Sequence, residues 1–92
     1  DAVFAASDLM ALGALRVLRE SGRKVPDDVA LVGFDDGPLA AASDPPLTTV
    51  HQPMEQLGRE MATMLLAQIS SGGVTAPEHL VLDTSLVERA SS

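Results

Sequence analysis

The chain contains no cysteine, no tryptophan and no tyrosine, and only two of its 92 residues are phenylalanine. Without cysteine it forms neither disulfide bonds nor thiolate metal sites, and this composition fits a reducing cytoplasm. Hydrophobic residues nevertheless make up 46% of the chain, enough to bury the core of one small domain. Because aromatic side chains are so scarce, we expect aliphatic residues and methionine to fill that core.

Positive charge is scarce as well, since six lysines and arginines stand against thirteen aspartates and glutamates, for a net charge of −7. A surface of this sign repels phosphate backbones and anionic lipids, which argues against DNA binding by this segment itself. The apolar runs are far shorter than the roughly 20 residues that span a membrane, and no signal-peptide pattern is present. The sequence opens without an initiator methionine, directly in a strand-like stretch, so we expect it to be part of a longer protein.

The first third of the chain has the pattern of a strand, a helix and a second strand. Residues 2–6 are short and apolar, which predicts a buried strand. The helix follows Ser7 or Asp8, either of which can accept N–H bonds as the N-cap, and Gly22 suits its left-handed C-cap. Residues 29–34 carry no polar side chain, as in a parallel strand covered on both faces. Together these segments predict a βαβ unit with a right-handed crossover.

The rest of the chain predicts a loop over residues 37–46 that two prolines stiffen, an extended segment over 47–52 and a helix over 53–71. Methionine and leucine recur in this helix at helical spacing, and a glycine pair ends it. Residues 79–92 close the chain with one or two further strands. The whole pattern predicts an α/β fold with a parallel sheet.

Polar pairs follow both strands of the predicted βαβ unit. Ser7 and Asp8 come after the first strand, and Asp35 and Asp36 come directly after the second. The carboxyl ends of parallel strands meet at the edge of the sheet where α/β folds bind ligands. A carboxylate at this edge can accept hydrogen bonds from ligand hydroxyls or ring N–H groups. The alternative is that these residues only cap the helix and a turn at the strand exit.

Other chemistries have weaker support in the sequence. The two histidines, His51 and His79, have no metal-ligand spacing, and no Gly-rich phosphate loop is present. A triad of Ser7, His51 and Asp35 lacks a nucleophile-elbow sequence. An enzyme that uses Asp8 and Asp35 as an acid pair would stand without a nucleophile, a metal set or a phosphate loop. We therefore predict no enzyme, no catalytic residue, no cofactor and no metal.

Several segments in a fixed order carry a resemblance to a known family. They are "SDLMALGALRVLRESGRKVPDDVALVGFDD", then "PPLTTVHQP", then Gly58, then "SLVERAS". Together they resemble the LacI/GalR family of bacterial transcription regulators, and more narrowly the C-terminal third of their effector-binding domain. The resemblance covers essentially the whole chain, and the order and spacing of the motifs make it specific.

The resemblance implies a periplasmic-binding-protein-like core of two α/β subdomains, joined by three crossing strands. A small-molecule effector, often a sugar or a purine, would bind between the subdomains of a cytoplasmic homodimer. Operator DNA would be bound by a helix-turn-helix domain absent from this chain, and no membrane partner is implied. Residues 1–47 would belong to the C-terminal subdomain, 48–79 would form a crossing strand and a helix of the N-terminal subdomain, and 80–92 would cross back.

The resemblance also implies roles for individual residues. Asp35 matches the acidic ligand contact at the strand end, and Ser7 stands where many members have asparagine. Met54 and Leu57 match positions that line the cleft from the other subdomain, and Leu12 lies in the helix that packs across the dimer interface. Two departures matter: serine shortens the reach of a polar contact at position 7, and methionine at position 54 replaces an aromatic residue that often stacks on the ligand.

A periplasmic solute-binding protein of the ribose-binding type is the alternative, since it shares this fold. The segment "PPLTTVHQP" favours the regulator. The region preceding this chain would distinguish the two, because it holds either a helix-turn-helix or a signal peptide. The identity of the effector, and whether it induces or co-represses, stay open at this point.

Overall fold

The computed structural model describes residues 1–73 and 78–92. Within them, strands and helices alternate along the chain. In order they are β1 (Ala2–Phe4), α1 (Asp8–Glu20), β2 (Ala30–Asp35), α2 (Pro38–Ala42), β3 (Thr48–His51), α3 (Met54–Ser70) and β4 (Ser85–Val87). None of the helices in these described ranges has the length and apolar character that a membrane crossing requires.

The strands form one sheet in the order β1-β2-β3-β4. Strand β2 pairs in parallel with β1 on one side and with β3 on the other. Strand β4 pairs antiparallel with β3. The predicted α/β fold with a mostly parallel sheet is therefore confirmed. The carboxyl ends of β1, β2 and β3 all lie at the same edge of this sheet, which is where ligands bind in such folds.

Local sequence signals set both ends of α1. The Ser7 hydroxyl accepts the N–H of Met10 at 3.2 Å, so Ser7 rather than Asp8 is the N-cap. At the other end Gly22 has a positive φ of 76°, and the next amide, Arg23 N–H, donates to the Leu18 carbonyl at 2.8 Å. This bond across a left-handed glycine is a Schellman motif. Both predicted helix ends are confirmed.

The core is small and aliphatic, as expected from the shortage of aromatic residues, but the methionines expected in it are absent, since Met10, Met54 and Met61 are exposed. Helix α1 packs against β2. The buried apolar side chains are Ala5, Ala11, Leu15, Leu31, Ala40 and Leu47. Removing these side chains from water supplies the main favourable free energy of folding for this part of the chain.

Two expectations about strand burial were wrong. Every residue of β1 is exposed, because β1 is the edge strand of the sheet and has β2 on one side only among the described residues. Strand β2 alternates between buried residues, Leu31 and Gly33, and half-buried ones, Val32 and Phe34. Since α1 packs on β2, this alternation indicates that one face of the strand is covered far better than the other.

The loop predicted over residues 37–46 contains a short helix instead. In α2, Pro38 occupies the first turn and Ala40 is buried. Proline fits the first helical turn because its missing N–H has no partner to lose there, and alanine has the highest helix propensity. The run of small residues is therefore helical where the sequence pattern suggested only a stiff loop.

The second half of the chain follows its prediction closely. Helix α3 ends before a left-handed glycine, Gly72, with a φ of 72°. The segment 79–92 contributes one strand, β4. No residue of α3 is buried within the described part of the chain. In its methionine and leucine stripe Leu57 and Met64 are half-buried, and the other members are exposed.

The chain divides into two compact units. Unit 1 comprises Asp1–Gln52 with Thr84–Ser92 and holds the whole sheet, and unit 2 comprises Pro53–Asp83 and holds α3. The assignment of residues 1–47, 48–79 and 80–92 to subdomains of a larger core stays a prediction. Residues 74–77 of the middle region lie outside the described residues.

The C-terminal residues clamp the amino ends of β2 and β3. Ser91 is fully buried. The N–H of Leu31 donates to the Ser91 carbonyl at 2.8 Å, and the Ser91 hydroxyl donates to the Leu31 carbonyl at 2.6 Å. The N–H of Thr48 in turn donates to the Ser91 hydroxyl oxygen at 2.8 Å. One serine thus satisfies backbone groups of two strands that would otherwise be buried without partners.

Candidate ligand-binding site

Polar residues from three strand ends meet at the carboxyl edge of the sheet. Two follow β1, two lie at the end of β2 and two lie at the end of β3. We call these six residues the rim: Ser7, Asp8, Asp35, Asp36, His51 and Gln52. The parallel register pairs Asp35 directly with His51. The predicted convergence of Ser7-Asp8 and Asp35-Asp36 at one edge is therefore observed, and β3 adds a third pair that the sequence analysis did not place there.

The backbone of Asp35 and Asp36 is unusual. Their φ angles are 124° and 60°, in the left-handed half of conformational space that glycine occupies readily and other residues rarely. Such a conformation costs about 1–3 kcal/mol and persists only where the surroundings hold it. The rim therefore contains a strained turn at the end of β2, and the contacts that support this turn decide how the two carboxylates point.

Asp36 is held by two side chains, those of Arg89 and His51. Its Oδ1 accepts a hydrogen bond from Arg89 Nη2 at 2.8 Å, and its Oδ2 lies 3.0 Å from His51 Nδ1. The hydrogen bond from Arg89 lowers the pKa of Asp36 below its ordinary value of 3.8, and the bond from His51 adds to this against desolvation, which raises it. Arg89 also donates to the Leu47 carbonyl at 2.9 Å. Asp36 Oδ1 thus fastens the closing segment to the sheet through Arg89, and Oδ2 ties the end of β2 to His51 at the end of β3.

Asp35 has a different environment. It is half-buried, and its Oδ1 accepts a hydrogen bond from Gln52 Nε2 at 2.7 Å. Its Oδ2 has no hydrogen-bond partner among residues 1–73 and 78–92. A half-buried carboxylate with one fixed oxygen and one available oxygen can accept a charge-assisted hydrogen bond from a ligand. The residue pattern alone did not distinguish Asp35 from Asp36, and only the family resemblance favoured Asp35. Their hydrogen bonds differ, with Asp35 bound to Gln52 and Asp36 to Arg89.

Asp8 is the buried member of the rim, with 5% of its surface exposed. Its Oδ1 accepts a hydrogen bond from the Thr49 hydroxyl group at 2.6 Å, and its Oδ2 accepts one from the Gly37 N–H at 2.7 Å. Both oxygens therefore have internal partners, and nothing in these contacts supports Asp8 as half of an acid pair with Asp35. The sequence analysis missed this arrangement. The signal was Gly33, a glycine inside an apolar strand, which often marks a close approach of another group.

The remaining predicted site residues lie in different places. Ser7 is half-buried and its hydroxyl caps α1, so the capping role is observed, while ligand contact stays a prediction. Met54 and Leu57 belong to unit 2. Met54 is 56% exposed, and Leu57 lines a cavity of about 310 Å³ within that unit, together with Met61. Their part in a common site with Asp35 stays a prediction.

The Ser7–His51–Asp35 triad finds no support in the described contacts. The His51 ring pairs with Asp36, and the Asp35 carboxylate pairs with Gln52. The Ser7 hydroxyl serves the backbone of α1. A nucleophile needs a base within hydrogen-bond reach, and these three side chains are each engaged elsewhere.

The lowered pKa of Asp36 predicts a dependence of stability on pH. A carboxyl group whose pKa is depressed by folding stabilises the folded state above the ordinary pKa. That contribution is lost as pH falls from about 3.8 through the lower folded-state value. In urea unfolding at a series of pH values, Arg89→Met should lower the free energy of unfolding by about 1.5–3 kcal/mol at neutral pH. It should also make this free energy fall less steeply as the pH drops below about 3.8. If the free energy of unfolding falls equally steeply in acid for Arg89→Met and for the unchanged protein, the assignment of this ion pair is contradicted.

A mostly parallel sheet whose polar residues gather at the carboxyl edge of its strands is the architecture of small-molecule-binding α/β domains. The family model of the periplasmic binding protein-like domain matches residues 1–92, and the chain belongs to this family. The predicted fold class, a fragment of a periplasmic-binding-protein-like domain, is confirmed by this match.

Curated and solved relatives are transcriptional regulators. The chain is 59% identical over 91 residues to the HTH-type transcriptional regulator CelR of Thermobifida fusca, covering 99% of this chain and 26% of that protein. A structure of a CelR–cellobiose complex matches with a TM-score of 0.92 at 59% identity, over 100% of this chain and 28% of the other. The lac repressor dimer bound to operator and the anti-inducer ONPF matches with a TM-score of 0.85 at 41% identity, over 99% and 31%.

The chain thus spans about a quarter of the length of the curated relative. The resemblance to LacI/GalR regulators is confirmed by these matches. They also favour the regulator over the periplasmic solute-binding protein that the sequence left as its alternative.

Proposed function

We propose that this chain is the effector-sensing part of a LacI-type bacterial transcription regulator, and that the effector is a neutral sugar bound at the rim. The observation that carries the proposal is the Asp35 carboxylate. Gln52 fixes its Oδ1, and its Oδ2 is available to a ligand as far as the described residues go. Sugar hydroxyls are good donors to such an oxygen.

The charge of the rim supports a neutral ligand. Asp8, Asp35 and Asp36 place three carboxylates at or beneath this edge, and Asp36 is the one of the three that pairs with Arg89 and His51. A phosphorylated sugar would meet repulsion here, since like charges at close range are disfavoured. A purine could use its ring N–H groups, but the CelR–cellobiose complex at 59% identity makes cellobiose the first candidate.

The other parts of the proposal follow from the relatives. Operator DNA would be bound by a separate helix-turn-helix domain, because this chain, with its net charge of −7, repels phosphates. The regulator would work in the cytoplasm as a homodimer without catalytic activity, with Leu12 near the dimer interface. Ser7, Met54 and Leu57 would contribute further ligand contacts beside Asp35.

Calorimetric titration of the full-length regulator with cellobiose tests the proposal. Ribose and adenine serve as comparison ligands, the first a smaller neutral sugar and the second a purine. We expect saturable binding of cellobiose that is tighter than binding of either comparison ligand. Binding of adenine alone would overturn the sugar assignment, and no binding of any of the three would overturn cellobiose as the effector.

A further inference from the structure

The carboxylate of Asp8 joins parts of the sheet edge that lie far apart in the chain. Asp8 stands in the first turn of α1. Its Oδ2 accepts a hydrogen bond from the Gly37 N–H at 2.7 Å, and its Oδ1 accepts one from the Thr49 hydroxyl group at 2.6 Å. Because Gly37 directly follows Asp36, one of these two bonds ends on the backbone that leaves the left-handed turn.

The neighbouring strand makes room for this carboxylate. A Cβ atom at position 33 would lie 2.6 Å from Asp8 Oδ1 and 2.9 Å from Leu47 Cδ2. Glycine at this position therefore allows the carboxylate to sit against β2. Since Asp8 is 5% exposed and both its oxygens have internal partners, it does not offer an oxygen to a ligand.

We propose that Asp8 is a positioning residue, which fixes the left-handed Asp35–Asp36 turn by holding the Gly37 N–H and so aims the Asp35 carboxylate at the effector. The inference rests on the proposed function, in which Asp35 contacts the ligand. A strained turn that loses its anchor relaxes into other backbone conformations. Apparent affinity then falls in proportion to the fraction of molecules that keep the binding-competent turn.

Three variants of the full-length regulator separate this role from a general one in stability. Asp8→Ala removes both hydrogen bonds. Asp8→Asn keeps both, because its carbonyl oxygen can accept the Gly37 N–H while its NH₂ group donates to the Thr49 oxygen. Thr49→Val removes only the bond from Thr49. Asp8→Ala should raise the Kd for cellobiose at least roughly tenfold, whereas the other two variants should stay within about threefold of the parent.

Amide hydrogen exchange gives a second readout that needs no ligand. Asp8→Ala should remove protection of the Gly37 amide while the Val32 amide in the middle of β2 stays protected. Asp8→Asn and Thr49→Val should both retain protection at Gly37. A general loss of stability would instead lower protection at both amides together.

The outcomes distinguish the inference from the function on which it rests. Unchanged protection of Gly37 in Asp8→Ala, or equal losses of affinity in Asp8→Ala and Thr49→Val, would overturn the positioning role. Selective loss of Gly37 protection in a protein that does not bind cellobiose would support the positioning role and refute the effector. If Asp8→Ala does not fold, the hydrogen bond can be measured in the parent protein as a scalar coupling between the Gly37 nitrogen and the Asp8 carboxyl carbon. Observing this coupling would support the anchoring of Gly37 by Asp8, and its absence would refute it.

Discussion

Replacing Asp35 by asparagine will weaken effector binding by about 10- to 100-fold, because a hydrogen bond to a charged group contributes about 1.5–3 kcal/mol. Asparagine keeps the shape of the side chain and tolerates a positive φ better than most residues, so the turn at 124° should persist. Its carbonyl oxygen can still accept the Gln52 N–H. The variant therefore removes the negative charge and the oxygen acceptor that Asp35 offers to the ligand, and it changes little else.

Asp36→Asn is the matched control for this variant. It makes the same chemical change one position later, on a carboxylate whose oxygens serve Arg89 and His51. We expect it to lower stability while its affinity for cellobiose stays within about threefold of the parent. Calorimetry and operator binding should be measured on both variants, and operator affinity without effector should be unchanged in Asp35→Asn. Unaltered effector affinity in Asp35→Asn, or an equal loss in both variants, would refute Asp35 as the ligand contact.

Charge placed on the outer face of α1 will shift the regulator from dimer to monomer. Leu9, Met10 and Val17 are all exposed on this helix, whereas Leu12 is half-buried and packs against the core of its own chain. Exposed apolar side chains on one helix face mark a surface that another protein surface covers. We therefore expect both Leu12→Arg and Leu9→Arg to weaken the dimer by about 100-fold or more, since an unpaired charge buried in an interface costs about 3–5 kcal/mol.

The two arginine variants complement each other. Leu12→Arg also strains the core, while Leu9, which is 71% exposed, can accept a charge without disturbing its own chain. Val81→Arg, the same change at an apolar residue that is 88% exposed and lies outside α1, is the control and should leave the dimer intact. Sedimentation at low micromolar concentration measures the effect. Dimers that persist in both leucine variants would show that this face of α1 does not form the interface.

Capping chemistry and glycine placement predicted the helix ends because both act within a few residues. The Ser7 cap, the left-handed Gly22 and the end of α3 before Gly72 are local events, and the pattern of apolar residues located β2 in the same way. The short helix α2 escaped prediction because a run of small residues between prolines is also typical of a loop. The exposure of β1 depends on what lies beside the edge of the sheet, which no local pattern records.

The arrangement of the rim depends on contacts between distant residues. Arg89 distinguishes the two carboxylates of the "DD" pair, because it binds Asp36 and leaves Asp35 as the candidate ligand contact. Arg89 and Asp36 are 53 positions apart in the sequence. The anchoring of Gly37 by Asp8 spans 29 positions, and the clamp of Ser91 on Leu31 spans 60. The types of residue at the sheet edge were predictable from the sequence, whereas the partner of each side chain required the fold.

A crystal structure of the full-length regulator with cellobiose tests the central claim most directly. We expect a sugar hydroxyl to donate to Asp35 Oδ2 at about 2.5–3.0 Å, with Oδ1 still bound to Gln52 and Asp36 still bound to Arg89 and His51. Cellobiose bound without any contact to Asp35, or bound to Asp36 with its arginine displaced, would contradict the account.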